Sequence, residues 1–191
     1  MNKKIWIGLV TAVALVSLAS AEVDLMSMMI NKETNGTWNV LPDKPKAKHF
    51  KVADLAGLQD VYAFRVKARK GNNPWDVQAS SPVAGAIKQG DVIMLNYYAR
   101  AEQPAEGGSK LTARIQLAGP PYSSVLDFTA PIDGEWKSYC AFRVANATIE
   151  EKKSSVSIHL ATAEQVIDLG PVFVFNFGQG YDVKNLSFCA G

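Results

Sequence analysis

The sequence NPWDVQASSPVAGAIKQGDVIMLNYYARA, residues 73–101, decides the fold of this chain. It contains a turn, a strand, a break at Pro and Gly, a second turn and a long strand over residues 91–101. Alternate positions of the long strand form two sets of side chains. The first set is apolar or aromatic throughout: Ile93, Leu95, Tyr97, Ala99 and Ala101. The second set includes polar residues: Val92, Met94, Asn96, Tyr98 and Arg100. Because successive strand side chains point to opposite sides, this pattern predicts an antiparallel sheet with one face open to water.

The rest of the chain repeats short strands separated by turns. Residues 61–68, 111–117, 136–144 and 155–161 alternate apolar and polar side chains, and residues 122–128 and 172–177 are further strand-like runs. Residues 22–30 predict a short first strand, and residues 31–57 predict a long surface connection. We find no convincing helical period after residue 21. The pattern therefore predicts an all-β fold, an antiparallel β-sandwich of the jelly-roll type.

The first 21 residues have the composition of a secretory signal peptide. Lys3 and Lys4 precede an apolar run over residues 5–18, and Ala19, Ser20 and Ala21 form a small-residue cleavage site. The run is shorter than the ~20 residues that a membrane-spanning helix needs, which favours cleavage after Ala21 over a retained anchor. We predict that residues 22–191 form a single secreted or periplasmic domain without a membrane span.

Charge and cysteine content limit the classes of partner. The chain has 20 basic and 18 acidic residues, and without Lys3 and Lys4 the two numbers are equal. Since nucleic-acid binding needs a surplus of Lys and Arg, we predict no nucleic-acid partner. After export, Cys140 and Cys189 would be in an oxidising compartment. They could form a disulfide or remain as two buried thiols, and the sequence leaves both alternatives open. Two cysteines and two histidines give no zinc site of recognisable spacing.

The non-core faces of the predicted strands collect planar polar and aromatic side chains. These candidate ligand-binding residues are Trp75, Gln78, Asn96, Tyr98, Arg100, Arg114, Gln116 and His159. Rings offer flat apolar area, and amides, Arg and His offer hydrogen-bonding atoms in one plane, which together suit a sugar ring and its adjacent hydroxyls. An ordinary solvated sheet face with incidental polarity would show the same pattern, so the residues alone leave both interpretations open.

Several segments resemble the family 4 and 9 carbohydrate-binding modules. They are NPWDVQ (73–78), IKQGD (87–91) and LNYYARA (95–101), followed in order by GEWKSY (134–139), VSIHL (156–160) and VIDLGPV (166–172). The resemblance covers most of residues 61–178. It implies a galactose-binding-like jelly roll with a cleft over one sheet for a β-linked polysaccharide such as xylan or glucan.

The resemblance also implies roles for individual residues. Trp75 and Gln78 match an aromatic residue and a Gln three positions later that contribute to the cleft of xylan-binding members, and His159 matches a His on a late strand. Arg114 and Gln116 fall on the equivalent middle strand.

The N-terminal third departs from the family pattern because it lacks the usual Gly-Asp-Phe-Glu opening. We therefore predict no cofactor and no metal site. The structural calcium ion of many such modules stays open as an alternative, with oxygen ligands from Glu33 or Asp182.

These features predict a non-catalytic, monomeric protein that binds polysaccharide. Trp75 would stack on a sugar, and Gln78, Arg114 and His159 would bind hydroxyls, with Tyr98 and Arg100 flanking the cleft.

Two alternatives remain. The first is a cell-envelope structural or protein-interaction module, since sandwiches host many functions. The second is a polysaccharide hydrolase, which would need two carboxylates about 5–10 Å apart across one cleft. Asp127, Glu135 and Asp168 are available, but their spacing in the sequence singles out no pair.

Overall fold

A computed structural model describes residues 25–41, 46–55, 57–186 and 189 of the chain. Within these residues the strands are β1 (Asn39–Leu41), β2 (Lys46–Leu55), β3 (Leu58–Ala68), β4 (Gln78–Val83), β5 (Asp91–Gln103), β6 (Ser109–Leu117), β7 (Ser124–Ile132), β8 (Lys137–Val144), β9 (Ser154–His159) and β10 (Gln165–Gln179). Short 3-10 helices span Leu25–Met28, Pro74–Asp76 and Val183–Leu186. The predicted signal peptide, residues 1–21, lies outside the described residues.

The strands form two five-stranded antiparallel sheets. The first sheet has the order β1-β4-β9-β6-β7, and the second has the order β2-β3-β10-β5-β8. Neighbours in each sheet are mostly distant in sequence, because the chain crosses repeatedly between the sheets, as a jelly roll requires. The predicted all-β sandwich is confirmed.

The core between the sheets is built from the predicted alternation. Ile93, Leu95 and Tyr97 of β5 are fully buried, and Val156 and Ile158 of β9 face them from the other sheet within one continuous hydrophobic cluster. Because the side-chain period of a strand is two, the remaining positions of β9 point to the outer face of the first sheet. Packing of the core thus fixes which polar side chains reach that face.

Two expectations for the N-terminal part are wrong. Leu25–Met28 forms a 3-10 helix rather than a strand, after which Met29 bridges Phe175 of β10. The segment expected to be a surface connection contains β1 and β2, and β2 pairs with β3 as a hairpin. Strand β2 lies at the edge of its sheet, where lysines are common because they oppose edge-to-edge association, and these lysines interrupt the apolar pattern.

The two chain-terminal segments cover one end of the outer face of the second sheet. Met28 and Met29 from one segment, and Leu186 and Cys189 from the other, pack into a second hydrophobic cluster that includes Phe175. A disulfide joins Cys189 to Cys140 of β8, with their Cα atoms 4.9 Å apart. Closing a loop with a sequence separation of 49 stabilises a fold by about 4 kcal/mol on the chain-entropy model.

A charge network occupies the other end of this outer face. Asp168 of β10 is fully buried and accepts hydrogen bonds from Arg65 of β3, at 2.6 and 2.8 Å, and from Arg100 of β5, at 2.9 Å. Both guanidinium groups also pair with Glu102, at 3.0 and 2.8 Å. Two cations and two anions therefore balance one another across β3, β10 and β5.

Candidate functional site

A cleft of about 600 Å³ opens on the outer face of the first sheet. Its lining residues are Trp75, Gln78, Arg114, Gln116, Pro121, Tyr122, Ser123 and His159. Five of the eight residues predicted to bind ligand are among them: Trp75, Gln78, Arg114, Gln116 and His159. Three adjacent strands and two connections therefore bring together residues spread over more than eighty positions of the sequence.

The register of β4, β9 and β6 places the side chains of the cleft floor. The paired positions are His159 with Gln78 and with Thr112, Ser157 with Arg114, and Ser155 with Gln116. The central strand, β9, contributes two serines to this face. Because their side chains are small, the longer side chains of β4 and β6 rise on either side of β9 and leave a trough between them.

Gln116 provides a buried acceptor without a partner in the cleft floor. The residue is 4% exposed, and its Oε1 is buried without a hydrogen-bond partner. The other glutamine of the floor differs, since Gln78 Oε1 accepts a 2.7 Å hydrogen bond from Ser157. Buried polar groups are nearly always paired, and leaving one unpaired destabilises the fold. A turn of the Gln116 amide toward the cleft would let its Oε1 accept a donor from a bound molecule.

Arg114 is held in one orientation by its neighbours on β7. Its Nε donates to Asp127, its Nη2 donates to Ser124 Oγ at 2.9 Å, and Ser124 also donates to Asp127. This fixes the guanidinium beside the cleft and offsets its charge. Among the described residues that line the cleft, none is Asp or Glu.

His159 is a neutral member of the floor. Burial of the ring lowers its pKa below the ordinary value, and the nearby Arg114 cation lowers it further, while Asp127 acts weakly in the opposite direction. At neutral pH the imidazole is therefore uncharged and can both donate and accept a hydrogen bond.

Trp75 stands at one side of the cleft. It lies in the helix Pro74–Asp76 and is 54% exposed, with its ring 6.0 Å from the His159 ring in an edge-on arrangement. The Asp76 carboxylate accepts hydrogen bonds from the backbone of Asn72 and Asn73, at 2.8 and 3.0 Å, which lower its pKa and hold the turn. The backbone N–H of Ala161 also donates to the Pro74 carbonyl at 3.1 Å, which connects the turn to the residues that follow β9.

Tyr122 stands on the other side of β9, in the β6–β7 connection, and sequence analysis missed it as a site residue. Its side chain is 47% exposed, and its backbone has a φ of 57°, in the left-handed region that a tyrosine seldom adopts. Such a conformation persists where the surrounding structure holds it, often at a functional site. The sequence predicted a strand-like run over residues 122–128, but β7 begins at Ser124, so Tyr122 belongs to the connection. The sequence contains no signal for the conformation at Tyr122.

Asn96, Tyr98 and Arg100 lie outside the cleft, and the expectation that Tyr98 and Arg100 flank it is wrong. All three are on β5, which belongs to the second sheet. Asn96 accepts a 3.2 Å hydrogen bond from Ser138, and Arg100 lies 5.2 Å from the Trp136 ring centroid while pairing with buried Asp168. Both sheets have a non-core face, so alternation within one strand does not reveal which sheet it joins.

The described residues offer no cluster of three or more His, Cys, Asp or Glu side chains that could hold a metal ion. Glu33 and Asp182, the alternative calcium ligands, therefore belong to no such cluster, and Asp182 instead accepts a hydrogen bond from the Lys184 backbone at 3.0 Å. No described helix is both long and apolar enough to cross a membrane.

Comparisons with known proteins define the class of fold. No protein-family model and no curated protein matches the sequence. Among solved structures, a family 4 carbohydrate-binding module aligns with a TM-score of 0.53 and 17% identity, covering 73% of this chain and 94% of the module. The second N-terminal cellulose-binding domain of β-1,4-glucanase C from Cellulomonas fimi aligns with a TM-score of 0.52 and 20% identity, covering 83% and 97%.

A third structure contains a family 22 module. It comprises the CBM22-1 and GH10 modules of xylanase 10B from Clostridium thermocellum, complexed with xylohexaose, and aligns with a TM-score of 0.55 and 13% identity over 81% of this chain and 29% of that one. At these identities the similarity establishes the fold. The protein has the jelly-roll β-sandwich of the carbohydrate-binding modules, and the resemblance seen in the sequence is confirmed at that level.

Proposed function

We propose that this protein binds a polysaccharide chain, without catalysing its cleavage, in the cleft of the first sheet. The observation that supports this most directly is the unpartnered, buried Oε1 of Gln116 in a cleft that also exposes Trp75 and Tyr122. A sugar residue supplies both complements, since its hydroxyls can donate to the amide oxygen and its C–H face can cover a ring.

The charges beside the cleft favour a neutral chain of the xylan or β-glucan type. Asp127 offsets the charge of Arg114, and His159 is uncharged at neutral pH. Neutral hydroxyls can still bind these groups, because Arg114 donates hydrogen bonds and the imidazole can donate or accept. The fold relatives described as binding cellulose or complexed with xylohexaose agree with this choice of ligand.

A binding role is favoured over hydrolysis by the composition of the cleft. Glycoside hydrolysis uses a pair of carboxylates flanking the scissile bond, whereas none of the described lining residues is acidic. The proposal includes export through the predicted signal peptide and a monomeric state.

The test is affinity electrophoresis of residues 22–191 through gels containing soluble xylan or β-glucan. We expect retardation of the wild type, and a loss of affinity of about tenfold or more in Trp75→Ala, because covering roughly 60 Å² of an indole at ~25 cal/mol per Å² is worth ~1.5 kcal/mol. Tyr122→Ala should weaken retention in the same direction.

Tyr62→Ala is the matched control, since Tyr62 has the same 47% exposure as Tyr122 but lies on β3 of the second sheet. The control should migrate like the wild type. Equal mobility of the wild type, Trp75→Ala and Tyr122→Ala across a panel of neutral polysaccharides would refute the proposal.

A further inference from the structure

A second groove, of about 560 Å³, lies on the outer face of the second sheet. Its lining residues are Lys46, Ala47, Lys48, Arg65, Lys67, Glu102, Gln103 and Val166. They come from β2, β3, β5 and β10, and none of them lines the cleft of the first sheet. We call this feature the lysine groove.

The lysine groove has a local surplus of positive charge in a domain whose predicted mature chain is balanced overall. Arg65 is already paired with Asp168 and Glu102. Lys46, Lys48 and Lys67 form no ion pair with any residue that the structure describes, and all three are exposed. Three ammonium groups therefore line one groove without an ion-pair partner among the residues that the structure describes.

The strand register brings like charges directly against each other. Lys46 of β2 lies opposite Lys67 of β3, and Lys48 lies opposite Arg65. Like charges in directly opposed positions of an antiparallel pair destabilise the sheet. Asp168 and Glu102 offset the charge of Arg65, so the repulsion that the folded protein retains lies mainly between Lys46 and Lys67. An anion bound beside these two lysines would relieve it.

The chemistry of the groove indicates what kind of anion fits. Glu102 and the Gln103 amide lie beside the lysines, and Val166 and Ala47 contribute apolar surface. A ligand bearing only phosphates would pair with the lysines but would offer no complement to the Gln103 amide and the apolar surface. A uronic acid residue has a carboxylate for the lysines, hydroxyls that can donate to Glu102 and Gln103, and C–H groups for the apolar surface.

We propose that the lysine groove binds an acidic polysaccharide, a linear chain of uronic acid residues. This site is separate from the neutral-sugar cleft, because the two lie on the outer faces of opposite sheets with the core between them. The inference therefore does not depend on the proposed function of the cleft.

The experiment measures binding of residues 22–191 to polygalacturonate by affinity electrophoresis at 50 and 200 mM salt. The wild type should be retarded at the lower salt and less so at the higher salt, because exposed charges are screened. The triple variant Lys46→Gln, Lys48→Gln, Lys67→Gln should bind about tenfold more weakly at the lower salt, at ~0.5 kcal/mol for each lost charge contact.

A second triple variant, Lys32→Gln, Lys88→Gln, Lys110→Gln, removes the same number of charges from exposed lysines outside the groove and should bind like the wild type. Trp75→Ala should also keep full affinity for polygalacturonate, which separates failure of this proposal from failure of the cleft proposal. Equal affinity of the two triple variants would overturn the inference. So would equally strong, groove-dependent binding to duplex DNA or to phosphatidylserine vesicles, because the groove would then recognise charge alone.

Discussion

Replacement of Gln116 by Met should make the protein more stable and a weaker binder. Gln116 is 4% exposed with its Oε1 unpaired, and Met has nearly the same length and volume without the polar atoms. An unpaired buried acceptor costs about 1–3 kcal/mol, so its removal should raise the free energy of unfolding by about 1 kcal/mol and the melting temperature by about 2–4 °C for a domain of this size.

The same substitution removes the acceptor that we assign to a sugar hydroxyl. A hydrogen bond of this kind contributes about 1 kcal/mol net, so the affinity for the bound polysaccharide should fall about fivefold. Stability is measured by urea unfolding and calorimetry, and affinity by titration calorimetry with xylan or β-glucan oligosaccharides. Changes of opposite sign from one substitution distinguish a ligand contact from a purely structural residue.

Tyr97→Phe is the matched control for Gln116→Met. The Tyr97 hydroxyl is also buried and unpaired, but Tyr97 is 0% exposed and belongs to the core between the sheets. Removal of this hydroxyl should raise the free energy of unfolding without altering the affinity for polysaccharide. A lower melting temperature in Gln116→Met, or an unchanged affinity in a protein shown to bind polysaccharide, would refute the assignment of Gln116 Oε1 as a ligand acceptor.

Two further predictions concern stability. Asp168→Asn should lower the free energy of unfolding in urea by about 3 kcal/mol, near the lower end for a broken buried ion pair because both arginines are 26% exposed. Asp60→Asn, in the exposed pair with Lys51, should have almost no effect, and an equal loss in the two variants would contradict a stabilising role for the Asp168 network. Because the pKa of His159 is lower in the folded state than its usual ~6.5, the unfolded chain takes up the proton first, so stability should be level above about pH 7 and decline as the pH falls below about 6.5. His159→Gln should remove that part of the decline, and an unchanged profile would contradict it.

The fold was readable from the sequence wherever side chains alternate on a half-buried strand. Strand β5 shows this, because Ile93, Leu95 and Tyr97 face the core as the pattern predicted. On the same strand, Val92 and Met94 were correctly placed on the other face, but that end is not open to water, since the chain-terminal segments cover it. Strand β2 escaped detection because its exposed edge position is occupied by lysines, so local composition could not distinguish it from a loop.

The site was readable only in part, because alternation identifies faces and not sheets. Gln78, Arg114 and His159 converge since β4, β6 and β9 are neighbours, whereas Arg100 shows the same polarity on a strand of the other sheet. Strand order depends on pairing between distant segments, which no short pattern specifies. Tyr122 was missed for a related reason, because a loop side chain gains its role from the conformation of its backbone.

The cleft divides its residues between two kinds of support. Gln78, Gln116 and His159 lie on neighbouring strands, which backbone hydrogen bonds hold about 4.8 Å apart. Trp75 and Tyr122 lie instead in the connections between strands. Connections tolerate insertion and exchange far better than paired strands do. Under the proposed function, exchange of either connection should change the width of polymer that the cleft accepts, while the polar side chains on the strands beneath stay in place.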